Sequence, residues 1–350
     1  MKNWAIYILL LLLATVPVGV RANMAQPYFD GDLNAAMYGN KAYSVVHEII
    51  DIEIHKDSLY QNLYAIFKIH YKIYSPNKAD LPLLFLAFQI QDYPKISVNG
   101  RSVSDQPLHS KNVKQFPFIS ETKENGKTLT YSVSYAENEY VPVDLDDLIY
   151  FTAPLNTGEN DIYVAYRAHF GFDTYGFLRN YTLKYSLYPS QFWKSFGPIQ
   201  VNLHLNELAE ITRSNLGKAN MENGIAKWRL DSTDKDIDIV INHKTSWFSK
   251  VLLFIDPAGI GILTFIALVL LHWRFFKSMP KYRNWIYWLG IILLPALAFS
   301  LSMFYFDFVD WVLGYHSRHG YVLLLYIFLY PFSVLIYAVL LSFWLRKRLP

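Results

Sequence analysis

The chain has 350 residues, enough for one large domain or two ordinary ones. Its hydrophobic fraction of 53% and mean hydropathy of +0.13 exceed what a soluble globular protein needs, and the excess lies near the two ends. The net charge is only +3, and the absence of cysteine excludes both a disulfide framework and a thiolate metal site.

Residues 1–22 open with Lys2 and an apolar core over 4–16, and Val20-Arg21-Ala22 places small residues at the −3 and −1 positions for cleavage before Asn23. This reads as a secretory signal peptide. The alternative is an uncleaved anchor, for which the run is short. Either reading exports the segment after it.

Residues 23–248 read as an extracytoplasmic β-rich domain. In 48–54 the period is two, with Ile50, Ile52 and Ile54 on one face and Asp51 and Glu53 on the other. Residues 63–74 alternate Leu63, Ala65, Phe67, Ile69, Tyr71 and Ile73 against a polar and aromatic face. Asn99-Gly100 between two short alternating runs is the strongest hairpin signal in the chain. Further strands are expected over 127–136, 160–170, 181–189, 199–205, 225–230 and 236–242, many separated by turn residues. Only 206–217 offers a weak helical pattern. The expected fold class is therefore mixed: an all-β antiparallel sandwich, of one or two subdomains, followed by transmembrane helices. The polar, patternless stretch 104–127 is the candidate boundary between subdomains.

Two stretches of this domain carry potential chemistry. Glu137, Glu139, Asp144, Asp146, Asp147, Glu159 and Asp161 follow one another with no Lys or Arg among them. Asp144, Asp146 and Asp147 could supply some calcium ligands, but the twelve-residue loop spacing and its Gly are missing, and a solvated acidic loop is the competing reading. Phe192, Trp193 and Phe196 cluster around Lys194. Exposed, they would form a partner-binding surface; between strands, they would plug the end of a sandwich core. His47, His55, His70, His109, His169 and His204 stand singly. No nucleophile elbow, phosphate loop or HExxH pattern occurs, and no cofactor is implied. With 22 Lys and Arg against 26 Asp and Glu over 23–250, the domain lacks the positive face expected of a nucleic-acid partner.

Residues 249–350 read as a three-helix membrane domain with spans near 257–276, 284–306 and 321–345. Asp256-Pro257 suits an N-cap with Pro at the first helical position. The preceding "WFSKVLLFI" would lie at the interface, with Trp247 as its anchor. A continuous span with Asp256 buried as a functional carboxylate is the alternative. Pro295 and Pro331 fall inside the second and third spans, which membrane helices tolerate. Apart from Asp256 the spans hold almost no ionisable residue, which argues against a stand-alone transporter or channel.

The connection 307–320 concentrates Asp307, Asp310, His316, Arg318 and His319. Asp307 and Asp310, like His316 and His319, are three apart and would share a face on a helical turn. The four are candidate ligands for zinc or another divalent ion, and would make the protein a membrane-interface metal-dependent enzyme. The competing reading is an ordinary loop whose Trp311 and Tyr315 sit in the aromatic belt. The leading expectation for function is non-catalytic: a multi-pass protein of the cell membrane, in contact with lipid and with other envelope or membrane proteins, whose β domain binds a partner outside.

Arg274, Lys277, Lys281 and Arg283 lie between the first two spans and Arg346, Lys347 and Arg348 after the third, against Arg318 alone in the remaining loop. The basic sides should face the cytoplasm. A reporter active only in the cytoplasm should therefore work when fused after Pro280 or Pro350 and stay silent after Leu313. Activity at Leu313 alone would invert the layout.

Overall fold

The computed structural model describes residues 36–58, 62–86, 94–106, 108, 113–114, 116–124, 128–136, 139–145, 148–175, 177–255, 257–279, 282–314 and 320–346. The expected signal peptide, Asp256 and residues 315–319 lie outside them.

The N-terminal part is built from strands. In chain order they are β1 (Ala36–Tyr38), β2 (Ser44–Lys56), β3 (Leu63–Ser75), β4 (Ala79–Leu86), β5 (Lys95–Val98) and β6 (Arg101–Val103). Then come β7 (Ile119–Glu124), β8 (Thr128–Ala136), β9 (Glu139–Val143), β10 (Leu148–Leu155), β11 (Gly158–His169), β12 (Gly171–Tyr175) and β13 (Leu178–Tyr185). The series closes with β14 (Ser195–Phe196), β15 (Ile199–His204), β16 (Ala209–Ser214), β17 (Asn220–Glu222), β18 (Ile225–Leu230) and β19 (Ile237–His243).

The largest sheet runs β17-β18-β15-β2-β3-β11-β5-β6, with β14 also paired to β2. Its centre is the antiparallel pair β2–β3, each thirteen residues long. Alternation along these strands sends Ile50, Ile52, Ile54, Phe67 and Ile69 into one core. A second sheet, β12-β13-β19-β16, contributes Tyr181, Leu183, Ile239 and Ile241 to the same core. Each such aliphatic or aromatic side chain removed from water contributes about 1.5–3 kcal/mol, so this shared face is what holds the two sheets together. Two three-stranded sheets, β1-β4-β10 and β7-β8-β9, complete the part. A smaller apolar cluster around Tyr38, Phe116, Phe118, Val133 and Tyr150 lies between them.

The expected Asn99-Gly100 hairpin is present: φ is +51° at Asn99 and +75° at Gly100, and Val98 pairs with Arg101. The weak helical pattern at 206–217 is instead strand β16. Ile211 stands opposite Ile241 and a bulge follows it, so pairing with β19 overrides the local preference.

Helix α1 (Trp247–Ile255) leads to three long apolar helices, α2 (Pro257–Ser278), α3 (Arg283–Leu313) and α4 (Gly320–Arg346). These three are long and apolar enough to cross a membrane. The chain is a multi-pass membrane protein with a β-rich N-terminal part.

At 31 residues α3 outruns the expected span. It is about 46 Å long at 1.5 Å per residue, against about 30 Å of hydrocarbon. It ends where Gly314, at φ +76°, donates its N–H to the carbonyls of Asp310 and Trp311. Exposed Trp285 and Trp288 mark one interface near its start. Roughly twenty residues of helix cross the hydrocarbon, which carries the helix to about Tyr305–Phe308. The turns bearing Asp307 and Asp310 therefore stand at or beyond the second interface.

Hydroxyl and imidazole groups tie the helices. Ser302 Oγ meets Tyr326 Oη at 2.6 Å, Tyr287 Oη meets Ser342 Oγ at 2.9 Å, and Tyr330 donates to the Ile292 carbonyl at 3.0 Å in the turn before Pro295. His272 of α2 joins all three helices. Its Nε2 lies 2.9 Å from the Ile286 carbonyl of α3, and its Nδ1 lies 2.6 Å from Tyr337 Oη of α4. A carbonyl can only accept, so Nε2 carries a proton and donates to it. The ring lies close against Gly290, where an added Cβ would come within 2.2 Å of Cε1. Interhelical hydrogen bonds of this kind are worth about 0.6 kcal/mol on average and up to about 1.7. Tyr337→Phe should thus destabilise the bundle by roughly that amount. Gly290→Leu, which forces the helices apart, should exceed it in a denaturation series in detergent; equal effects would remove the close-contact account.

Candidate functional site

The alternation that fills the core also makes a second surface. On the face of the large sheet turned away from the core stand His47 and His55 of β2, His70 of β3, His169 of β11 and His204 of β15. Five histidines that look scattered in the sequence thus share one sheet face. Register explains it, because each occupies the parity opposite to the buried Ile, Leu and Phe positions.

The face is ordered in cross-strand rows. In one, Tyr64 pairs with both His55 and His169, and its ring lies 5.4 Å from that of His55 and 6.1 Å from that of His169. The Arg167 guanidinium covers the Tyr64 ring at 3.9 Å. In another, Gln200 donates to Asn202 at 3.0 Å, Asn202 donates to Asp51 at 2.8 Å, and His204 lies 3.7 Å from the same carboxylate. Lys68 donates to Glu53 at 2.5 Å and holds that carboxyl below its usual range. His70 packs against Tyr163 at 4.6 Å. Half-exposed ion pairs like these contribute about 0–1 kcal/mol each, so fold stability does not demand them. What they provide is a field of donors, acceptors and ring faces fixed in place.

One carboxylate lies on the wrong side of this division. Glu48 of β2 shares the parity of Ile50, Ile52 and Ile54 and is 1% exposed. Tyr185 of β13 donates to its Oε1, and Tyr71 Oη lies 2.6 Å from Tyr185 Oη. Oε2 has no hydrogen-bond partner among the described residues. Burial pushes the Glu48 carboxyl up to about 7, against the lowering effect of the two tyrosine hydroxyls. The sequence signal was available, since one Glu interrupts an apolar run of period two.

The aromatic cluster expected around Lys194 is largely packed inside. Trp193 is 3% exposed, with Nε1 3.4 Å from the Met37 carbonyl, and a Cβ on Gly39 would come within 2.2 Å of its ring. Phe192 and Phe196 are half-buried, Phe192 beside Tyr38 and Phe118 and Phe196 against the main core. Of the acidic stretch, Asp144 is exposed, while Glu159 and Asp161 reach Lys72 at 3.6 and 3.5 Å. Asp307 and Asp310 both belong to α3; Asp307 is exposed and Asp310 is 3% exposed, so the two carboxylates meet different surroundings. His316 and His319 lie outside the described residues. Among the described residues no group of three His, Asp or Glu converges as a metal site.

No protein-family model matches the sequence, and no curated protein matches it. Solved structures match it only at low similarity. A crystal structure from Legionella pneumophila, described as a candidate nutrient-binding protein, is 12% identical with a TM-score of 0.42, over 76% of this chain and 86% of that one. An M1 zinc metallopeptidase from Deinococcus radiodurans gives 8% and 0.27 over 58% and 43%, and yeast LTA4 hydrolase 9% and 0.29 over 65% and 33%. This chain spans less than half the length of either of those enzymes.

Glu48 gives the β part a defined pH dependence. Its folded value, about 7, lies above its ordinary 4.5, so folding takes up a proton between those limits. Stability is then greatest below about 4.5, falls as pH rises through the window, and bears the full penalty above 7. A shift of this size corresponds to a few kcal/mol, on the order of 3 at most. Glu48→Gln should raise the melting temperature of the full chain at pH 8 and leave it unchanged near pH 4.5. Wild-type and variant curves that stay parallel across the range would exclude the assignment.

Proposed function

We propose that the protein is a membrane-anchored binding protein, whose β part presents the polar outer face of its large sheet to a partner or envelope component on the non-cytoplasmic side. The observation that carries this reading is the gathering of five histidines with Tyr64, Tyr163 and Arg167 on one ordered, half-exposed face. Aromatic and Arg side chains dominate binding energy at interfaces, and groups already held in rows lose little freedom on association. The α2–α4 bundle holds this part at the membrane. Its helices are joined by apolar contacts and by hydroxyl and imidazole hydrogen bonds, which suits an anchor or a docking element for other membrane proteins.

Photo-crosslinking side chains placed at His70 and Tyr163, in the protein in its own membrane, should each give the same discrete adduct. Matching positions at Met221 of the edge strand β17, whose parity is that of the core side, and at Tyr140 of the edge strand β9 should not. If the face positions yield no discrete adduct, or the edge positions yield the same one, the outer face is not the binding surface.

A further inference from the structure

The junction between the β part and the bundle carries a second surface. Helix α1 buries Ser249 and Leu252 and turns Trp247, Val251 and Phe254 away from the protein, with Trp247 77% and Phe254 89% exposed. Those three positions are spaced four and three apart, so they form one stripe along the helix. On its other side α1 is held firmly. Tyr305 of α3 donates to the Leu252 carbonyl at 2.6 Å and Leu252 packs with Tyr305 and Val309, while exposed Lys250, on the flank of the stripe, reaches Glu210 of β16 at 3.3 Å.

The height of α1 is set by these contacts. Tyr305 and Val309 lie where α3 leaves the hydrocarbon, counted from its Trp285–Trp288 end. A stripe of Trp, Val and Phe fixed at that level cannot stand in water without exposing a contiguous apolar strip. It also continues an established surface, since α2 turns Ile262, Leu263, Ile266 and Leu270 outward immediately beyond it. The β part reaches the same level: Phe177, at the turn between β12 and β13, packs on Phe306 with ring centroids 5.3 Å apart.

We infer that the Trp247–Val251–Phe254 stripe is a lipid-binding surface that dips into the headgroup–acyl boundary, so that the β part rests on the bilayer instead of swinging above it. Trp at headgroup depth and Phe slightly deeper is the usual arrangement of interfacial segments. The seat has two sides, lipid on the stripe and protein on Leu252. A rigid standoff between the bilayer and the outer sheet face is the consequence.

The chain contains no cysteine, so single labels can be placed without altering other positions. Nitroxide labels at Val251→Cys and Phe254→Cys, in full-length protein reconstituted in phosphatidylcholine nanodiscs, would be compared with Lys227→Cys on the large sheet and Ile266→Cys on α2. Access of oxygen and of a water-soluble nickel chelate reports depth. Both stripe positions should show several-fold lower nickel access than Lys227→Cys, with oxygen access approaching that of Ile266→Cys. Nickel access equal to that of Lys227→Cys would mean that the stripe stands in water. Exclusion of both reagents would mean that a protein surface covers it. Either result overturns the inference and leaves the assignment of the outer sheet face untouched.

Discussion

Everything in the β part depends on the antiparallel pairing of β2 with β3. Thirteen residues on each strand stay in register apart from one bulge between Val45 and His47, and strict alternation divides them into a dry face and a wet one. A slip of one residue would put Lys68, Lys72 and His70 into the core and Phe67, Ile69 and Tyr71 into water. β11 extends the division on one side, and β15 extends it on the other with a parallel pairing. The core and the proposed binding face are therefore one feature seen from two sides. Substitutions on the wet face can change chemistry without touching the packing that orders it.

The bundle obeys a different constraint. In hydrocarbon, burial of apolar side chains does not drive helices together, and close approach and hydrogen bonds must do so. Gly290 against His272 and Gly261 beside Ser302 supply the approach. Tyr287, Tyr326, Tyr330 and Tyr337 supply the bonds. This gives the tyrosines of α3 and α4 a structural meaning that aromatic-belt placement alone does not.

Much of this was legible in the sequence because it rests on local period. The β2, β3 and β11 alternation, the Asn99-Gly100 hairpin and three helices of membrane length are all written in stretches of contiguous residues. What was illegible depends on neighbours. Strand β4 contains Pro82 and a continuous apolar run, Leu83 to Leu86, so it shows no period. It is a strand because β10 pairs along it, while β1 pairs only with Leu84–Leu86 and leaves the Pro82 end an edge. The gathering of the histidines needed strand order and register, neither of which a single sequence specifies. His272 escaped notice because a lone histidine in an apolar run carries no sign of its partners, which lie on two other helices. Glu48 is the opposite case, legible from parity alone and obscured only because the Ile positions dominate the pattern.

The far end of α3 is where the two parts meet, and its excess length explains how. A helix that stopped at the hydrocarbon boundary would lose Val309, Val312 and Leu313 from the cluster that packs around Leu252. By running about two turns further, α3 adds Val309, Val312 and Leu313 to the contacts that Tyr305 and Phe306 make with Leu252 and Phe177. Those contacts are short-range and apolar, with the Tyr305–Leu252 hydrogen bond fixing their register. A tilt of the β part would have to break them or carry α3 with it. Movement at the outer face and movement in the bundle are thereby mechanically linked, through one helix end that carries exposed Asp307 and buried Asp310.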